Sequence, residues 1–327
     1  MTPPLPRSVY IETTSRCNSL CETCILTFGG REAPRDLGYE EFRRLLARFP
    51  VLERVVLHGI GEPLLNRELP AMVRHAKERG ARVLFNSNAI TLTGRWQAAL
   101  VEAGLDELRV SFDASTRETY RRVRGVDAFD KVVGNLEAFA ALRRARGVAH
   151  PEVSLWFTGM QATLHELPGL VPIAVRAGAA GIHLQRLVYN GLGLAVEAES
   201  LFGRTTAAHE GWIAETAAAA GAAGIAFSAS GATTPEVSLV PHGASTRPWS
   251  HCRRPWTLCY VTVHGNVLPC CISPWVADPY EGIVAGNLFE QTLEEIWWGP
   301  RYEAFRAALL TEAPPQPCRG CGVFWSL

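Results

Sequence analysis

The sequence predicts an α/β chain: a partial (β/α)6, TIM-like barrel followed by a small cysteine-rich domain of β-hairpin and helix. Three observations lead there. From residue 8 to residue 187, short β-rich runs alternate with helices of apolar period, a rhythm that gives a parallel sheet covered by helices. Glycine and polar motifs fall behind the strands, where parallel α/β proteins gather their chemistry. The nine cysteines fall into two groups, 17–24 and 252–321. A length of 327 residues suits a catalytic body with an appendage. The expected divisions are 1–190 for the barrel, 191–246 for a connector or lid, and 247–327 for the cysteine-rich domain.

Behind the proline-rich start, Ser8 to Thr14 reads as a strand that delivers the first cysteine loop. Gly38 to Phe49 places Phe42, Leu45, Leu46 and Phe49 on one helical face. Strand Arg54 to His58, helix Leu69 to Arg79, strand Arg82 to Asn86 and helix Arg95 to Ala103 follow, the last stopped by Gly104. Leu108 to Phe112 is a fourth strand, with helices Thr116 to Val123 and Phe129 to Arg146 behind it. Glu152 to Phe157, helix Leu164 to Ala177 and strand Gly181 to Leu187 complete six units. The Ala-, Gly-, Ser- and Thr-rich stretch that follows has one expected helix, Ala207 to Ala220, and reads either as linker or as mobile cover over the barrel mouth.

Lys plus Arg equals Asp plus Glu at 32 each, so no global basic field points to nucleic acid or to an anionic membrane. Arginines such as Arg121, Arg122 and Arg124 read as a solvated helix face. No window approaches a membrane span and the first residues lack a secretion core, so the expected location is cytoplasmic. In that reducing compartment nine cysteines argue for metal over disulfides.

Cys17, Cys21 and Cys24 stand in the order C-x3-C-x2-C. Three thiols on so short a loop cannot pair off as disulfides, and structural zinc takes four ligands. A cubane iron-sulfur cluster with one iron left open suits them. This spacing just after a first strand resembles the signature of the radical S-adenosylmethionine (radical SAM) enzymes. The resemblance implies a 4Fe-4S cluster on these thiols, with SAM chelating the open iron. His58-Gly59-Ile60-Gly61-Glu62-Pro63 is similar to the family's G-G-E-P segment, which receives the amino group of SAM, although Ile60 stands where the first glycine of the pair belongs. Gly59 and Gly61 would let the backbone approach the ligand, and Glu62 would accept from the ammonium group.

Asn86-Ser87-Asn88 ends the third strand, and Ser111-Phe112-Asp113 ends the fourth. Asn86, Ser111 and Asp113 offer groups for ribose hydroxyls and the SAM carboxylate. The same residue types cap helices, and that role stands beside the first. Gln185 and Leu187 fall where the family places adenine.

Past residue 250 come Cys252, Cys259, Cys270, Cys271, Cys318 and Cys321. Val261 to Val267 alternates as a hairpin turning at His264-Gly265-Asn266, and Gly265 to Cys270 reads G-x4-C. A helix near Leu293 to Leu309 precedes the C-x2-C of Cys318 and Cys321. The pattern resembles the SPASM and twitch extensions of radical SAM enzymes, and implies one auxiliary 4Fe-4S cluster on Cys252, Cys270, Cys318 and Cys321. A four-thiolate zinc site competes with it. The C-x2-C-x5-C run of a full SPASM domain is absent, so the single-cluster form is expected. Cys259 and Cys271 remain. Cys271, expected on a strand facing opposite to Cys270, is a candidate thiol hydrogen donor, as in radical SAM epimerases of similar layout. Both also read as small buried apolar residues.

The resemblance implies a 5'-deoxyadenosyl radical that takes hydrogen from a carbinol C–H of a carbohydrate or aminocyclitol-like small molecule. Epimerisation through a thiol, or dehydrogenation with the auxiliary cluster as electron acceptor, would follow. Peptide maturation is the alternative; the start of the cluster loop at Cys17 leaves no room for an N-terminal leader-recognition domain and weighs against it. A two-cluster electron-transfer protein would not need the segment from Gly59 to Pro63. The expected partners are a small-molecule substrate and a low-potential donor such as flavodoxin or ferredoxin, with no nucleic acid and no membrane.

Overall fold

Every second residue of the barrel strands is apolar and packs against helices. In the computed structural model, Val9, Ile11, Val55, Leu57, Val83, Phe85, Leu108, Val110, Leu155 and Leu184 share one core with Phe42, Leu45, Met72, Leu100, Leu136 and Ile173 of the helices. The alternate set, including Tyr10, His58, Asn86, Arg109, Ser111, Trp156, His183 and Gln185, therefore turns to the barrel interior. The structure describes residues 3–231, 234–239, 247–276, 279–319 and 321. Parts of the expected connector (232–233 and 240–246) and of the expected tail (320 and 322–327) lie outside the described residues.

Strands β1 (Ser8–Ile11), β2 (Arg54–Val56), β3 (Arg82–Ser87), β4 (Glu107–Ser111), β5 (Glu152–Gly159) and β6 (Gly181–Arg186) pair in parallel in that order. Their helices are α1 (Tyr39–Ala47), α2 (Leu69–Glu78), α3 (Gly94–Glu102), α4 (Arg117–Arg124), α5 (Phe129–Ala145) and α6 (Leu170–Arg176). The single helix expected over Leu164 to Ala177 is broken: a 3-10 turn, Leu164–Glu166, precedes α6. Pro168 lies at the break, where it lacks a backbone donor and disfavours helix in the residue before it. The helix expected near Leu293 to Leu309 likewise divides into Leu293–Trp297 and Pro300–Leu309. Gly299 marks the division, since a Cβ there would sit 2.4 Å from the Glu295 carbonyl oxygen.

The expected connector contributes more than a link. Its described residues form α7 (Ala207–Ala222) and a seventh strand, β7 (Ala226–Ala229), which pairs parallel to β6. At the other edge β8 (Leu258–Val261) pairs parallel to β1, and β9 (Asn266–Leu268) and β10 (Gly286–Asn287) follow antiparallel. Among the described residues the barrel and the cysteine-rich end thus share one ten-stranded sheet. The expectation that Cys270 and Cys271 alternate on a strand fails, because β9 ends at Leu268 and both cysteines lie in the following turn. Pro269 has no N–H with which to continue the ladder.

Two carboxylates, Glu12 buried and Glu32 half-buried, fasten this hairpin to the barrel. Glu12, just past β1, accepts from the backbone N–H of Val263 at 3.1 Å, from that of Ile60 at 3.3 Å, and from the Tyr260 hydroxyl. Glu32 accepts from Thr262 (3.1 Å), Asn266 (2.7 Å) and Tyr280 (2.9 Å). The two glycines of the loop behind β2 serve the same junction. A Cβ on Gly59 would fall 2.1 Å from Glu12 Cγ, and one on Gly61 2.1 Å from the Thr14 carbonyl oxygen. Glycine is required on this side by the chain itself, by the side chains of Glu12 and Tyr260 at Gly59 and by the backbone of Thr14 and Arg16 at Gly61.

Gly61→Ala should therefore cost about 3 kcal/mol, read as a fall in the urea midpoint; an unchanged midpoint would show that the Thr14 backbone gives way freely. Burial pushes Glu12 up to about 7 from an ordinary carboxylate value of 4.5. Between those values the folded chain holds a proton that the unfolded chain releases, so stability falls as pH rises through the window. Glu12→Gln should remove a fall on the order of 3 kcal/mol between pH 5 and 8, measured by denaturant unfolding at each pH; a wild-type slope would mean that Glu12 is already ionised in the fold.

Candidate active site

The first cysteine loop is held down on the end of α4. Leu20 N–H donates to the Arg124 carbonyl at 3.2 Å, Glu22 N–H to that of Val123 at 2.9 Å, and Ser19 Oγ to Arg124 O at 2.9 Å. Gly125 ends α4 with φ of 67°, and a Cβ there would lie 2.1 Å from the Leu20 carbonyl oxygen. Inside the loop, Cys24 N–H to Cys21 O at 3.0 Å and Thr27 Oγ1 to Cys21 O at 2.9 Å close a turn that draws these cysteines together. Cys17, Cys21 and Cys24 lie within electrostatic reach of one another. Burial first, then neighbouring charge, pushes Cys17 up to about 11 and Cys24 up to about 12. Such thiols ionise when a cation replaces the proton, as iron ligation does.

Glu62 is buried, and burial pushes its carboxyl upward. Its oxygens accept from Leu64 N–H (3.0 Å), Ser87 Oγ (2.7 Å) and Asn88 N–H (2.7 Å), splicing the loop after β2 to the end of β3. Asn88 Nδ2 continues to Asn18 Oδ1 at 2.8 Å, with Cys17 Sγ 3.9 Å away. Asp113 is equally committed, accepting from Thr158 N–H at 2.9 Å and from Arg124 Nη1 at 2.8 Å. Thr116 caps α4, so Asp113 does not. Asn86, Ser111 and Gln185 are half-buried at the strand ends. Leu187 packs with Val123 and Met160.

Arg124 departs from the solvated face expected for its run. It is buried and paired with Asp113. Burial pulls its pKa down, but Cys21 and Asp113 outweigh that and hold it well above the usual guanidinium value. Its Nε is buried without a hydrogen-bond partner. A buried cation with an unused donor beside the cysteine loop fits an anionic group bound there, as SAM and a cluster would supply. The helical phase carried the signal: Arg124 stands four residues after the buried Tyr120.

The second set also converges. Cys252, Cys270, Cys318 and Cys321 line one cavity with Arg254 and Ile272. Among the described residues no three His, Cys, Asp or Glu side chains meet at single-ion distance; these four thiols border a space instead. Burial, then the neighbouring thiols, pushes Cys252 up to about 12 and raises Cys270 and Cys318 as well. Cys259 lies in the main core on β8, as a buried apolar residue would. Cys271 is half-buried, packs against Tyr260, Leu268 and Tyr280, and accepts a hydrogen bond from Arg254 Nη1 at 3.0 Å.

The barrel interior carries groups that the motifs did not single out. Arg109 stacks on Trp156 at 4.4 Å, Trp156 stacks on His183 at 4.0 Å, and His183 Nδ1 meets Ser228 Oγ at 2.9 Å. Glu107 binds Arg109 at 2.7 Å. Burial, then the Arg109 charge, pushes His58 down to about 4, and its Nδ1 is buried without a partner. Their position on alternate strand residues was the available signal.

Comparison with known proteins agrees with this geometry. The radical SAM superfamily model matches residues 11–151, and the SPASM iron-sulfur cluster-binding domain model matches residues 252–322. A PqqA peptide cyclase of Xanthomonas campestris is 26% identical over 331 residues, covering 98% of this chain and 80% of that protein. The structure of Streptococcus suis SuiB bound to precursor peptide SuiA superposes over 98% of this chain and 71% of its own, with a TM-score of 0.71 at 16% identity. That of anSMEcpe with bound AdoMet and the Cp18Cys peptide does so over 98% and 88%, with a TM-score of 0.62 at 17% identity. The structural likenesses establish the fold. The two matched families bring their cofactors with them: a 4Fe-4S cluster with SAM, and auxiliary iron-sulfur. With one family model on each group of converging cysteines, the chain belongs to the radical SAM superfamily and carries a C-terminal SPASM domain.

Proposed function

We propose that this radical SAM enzyme modifies a peptide, held in the barrel interior between the two cysteine sites. The observation that carries the reading is the likeness over 98% of the chain to a PqqA peptide cyclase. SuiB, solved with its precursor peptide, shares the fold over the same span. The carbohydrate-like substrate expected from the sequence was preferred on the shortness of the chain before Cys17. What precedes the cluster loop does not bear on what the barrel holds, and the comparisons favour a peptide.

Cys17, Cys21 and Cys24 would hold the cluster, which with SAM would supply 5'-deoxyadenosyl radical chemistry, with flavodoxin or ferredoxin as the class of electron donor. The chain's part is to place and shield. Asn86, Ser111 and Gln185 face that chemistry from the strand ends, while Asp113 and Glu62 hold their neighbours in position. The stacked faces of Arg109, Trp156 and His183 wall the interior against water. His58, with its pKa held near 4, stays neutral and keeps Nδ1 for a substrate group. Cys271, near Tyr10 of the interior, is the thiol read as returning a hydrogen atom to a carbon radical, a role that its nearness to the interior supports. A cluster held by Cys252, Cys270, Cys318 and Cys321 would supply an electron acceptor, and the product would then be oxidised.

Cys21→Ala should lower 5'-deoxyadenosine formation by reduced, reconstituted enzyme at least about a hundredfold; cleavage at the wild-type rate would remove the first site from the mechanism. A library of synthetic peptides should raise 5'-deoxyadenosine formation above the substrate-free rate, with a peptide product that has lost two hydrogens or gained solvent deuterium on carbon in deuterated water. Stimulation by aminocyclitols and not by peptides would restore the small-molecule reading.

A further inference from the structure

Arg254 stands between the two chemistries. Its backbone N–H bonds to the Cys252 thiol, and the short helix Arg254–Thr257 leads directly into β8. The guanidinium lines the cavity of Cys252, Cys270, Cys318 and Cys321, while Nη1 donates to Cys271 Sγ at 3.0 Å. Among the described residues its strongest electrostatic neighbours are the ionisable Cys271, Tyr10, Cys321 and Cys270, with no carboxylate among them. Arg253, next in the chain, is exposed.

A half-buried guanidinium without a carboxylate is costly unless another anion neutralises it. A 4Fe-4S cluster on four thiolates is such an anion, and it becomes more negative when reduced. A fixed positive charge at its edge stabilises the reduced form more than the oxidised one. We propose that Arg254 is a positioning residue of the auxiliary site, whose charge raises the reduction potential of the cluster held there and makes it a readier electron acceptor. The planar fork suits this place, since one guanidinium reaches Cys271 while facing the ligand cavity. The proposal rests on the reading of Cys252, Cys270, Cys318 and Cys321 as cluster ligands.

Iron and sulfide analysis of the wild-type protein tests that reading first, with roughly eight of each per chain expected; about half that amount would remove the auxiliary cluster irrespective of Arg254. The potential is then read by EPR-monitored titration in a Cys17→Ala, Cys21→Ala, Cys24→Ala background, which leaves the auxiliary signal alone. At the midpoint of that background, Arg254→Gln should lower the ratio of reduced to oxidised cluster at least about tenfold. Arg254→Lys, which keeps the charge, should stay close to the parent. A fully loaded Arg254→Gln with the parent midpoint overturns the proposal. So does loss of auxiliary iron from Arg254→Gln, whether or not Arg254→Lys keeps it, because the side chain would then serve assembly and not potential.

Discussion

The pairing of β8 with β1 governs the molecule. Tyr10 opposite Tyr260 and Val9 opposite Cys259 fix the register, and Glu12 N–H continues the ladder to Val261 O at 2.9 Å. Through that ladder the strand delivering the first cysteine loop lies beside β8, whose hairpin partner β9 leads to Cys270 in the same sheet. The distance between the sites is set by backbone hydrogen bonds, whose loss would leave polar groups buried, and not by a flexible linker. Glu12 reinforces the junction with bonds to the loop after β2 and to the hairpin after β8. A carboxyl so enclosed is easier to keep as the acid than as the anion, so the junction favours a proton near neutral pH.

Charge is balanced locally, although the whole chain carries equal numbers of acids and bases. An arginine stands beside each cysteine group: Arg124 near Cys21, and Arg254 near Cys270, Cys271 and Cys321, the last also within reach of Arg186. They are anchored differently. Arg124 is tied to Asp113 and keeps one buried donor free, whereas Arg254 leans on sulfur. Buried thiols with raised pKa values resist ionisation until iron binds, which makes metal loading and the ordering of these loops one coupled equilibrium.

Much of this was legible because strand alternation and helical period are local signals. The six strands from Ser8 to Arg186 and both cysteine groups follow directly from them. β7 was not legible, since Ala226-Phe227-Ser228-Ala229 sits at a sheet edge and lacks the apolar alternation of a strand packed on both sides. Arg124 was hidden by its neighbours: Arg121 and Arg122 are exposed, and the two-residue step from Arg122 turns Arg124 to the buried side of the helix. The intramolecular packing of the glycines behind β2 was not legible, because nothing local reveals that Thr14 and Glu12 return to that place. Glu62, Ser87 and Asn88 form a single brace across two loops, and such a brace appears only once β2 and β3 are adjacent.

Sheet topology also bears on what the interior receives. β8 is paired to β1 and β9, and β7 to β6, so among the described residues the sheet does not close between β7 and β8. A closed barrel would admit its substrate by the mouth alone, which suits a compact molecule. An unclosed one can take a chain from the side, with the reacting residue inside and both ends in solvent. The interior offers contacts of the kind a side chain uses: the faces of Trp156 and His183, the Arg109 guanidinium and the unpaired nitrogen of His58. On the hairpin side, Tyr10 of the interior packs against the same Tyr260, Leu268 and Tyr280 cluster as Cys271, so the interior and the second cysteine set share one wall.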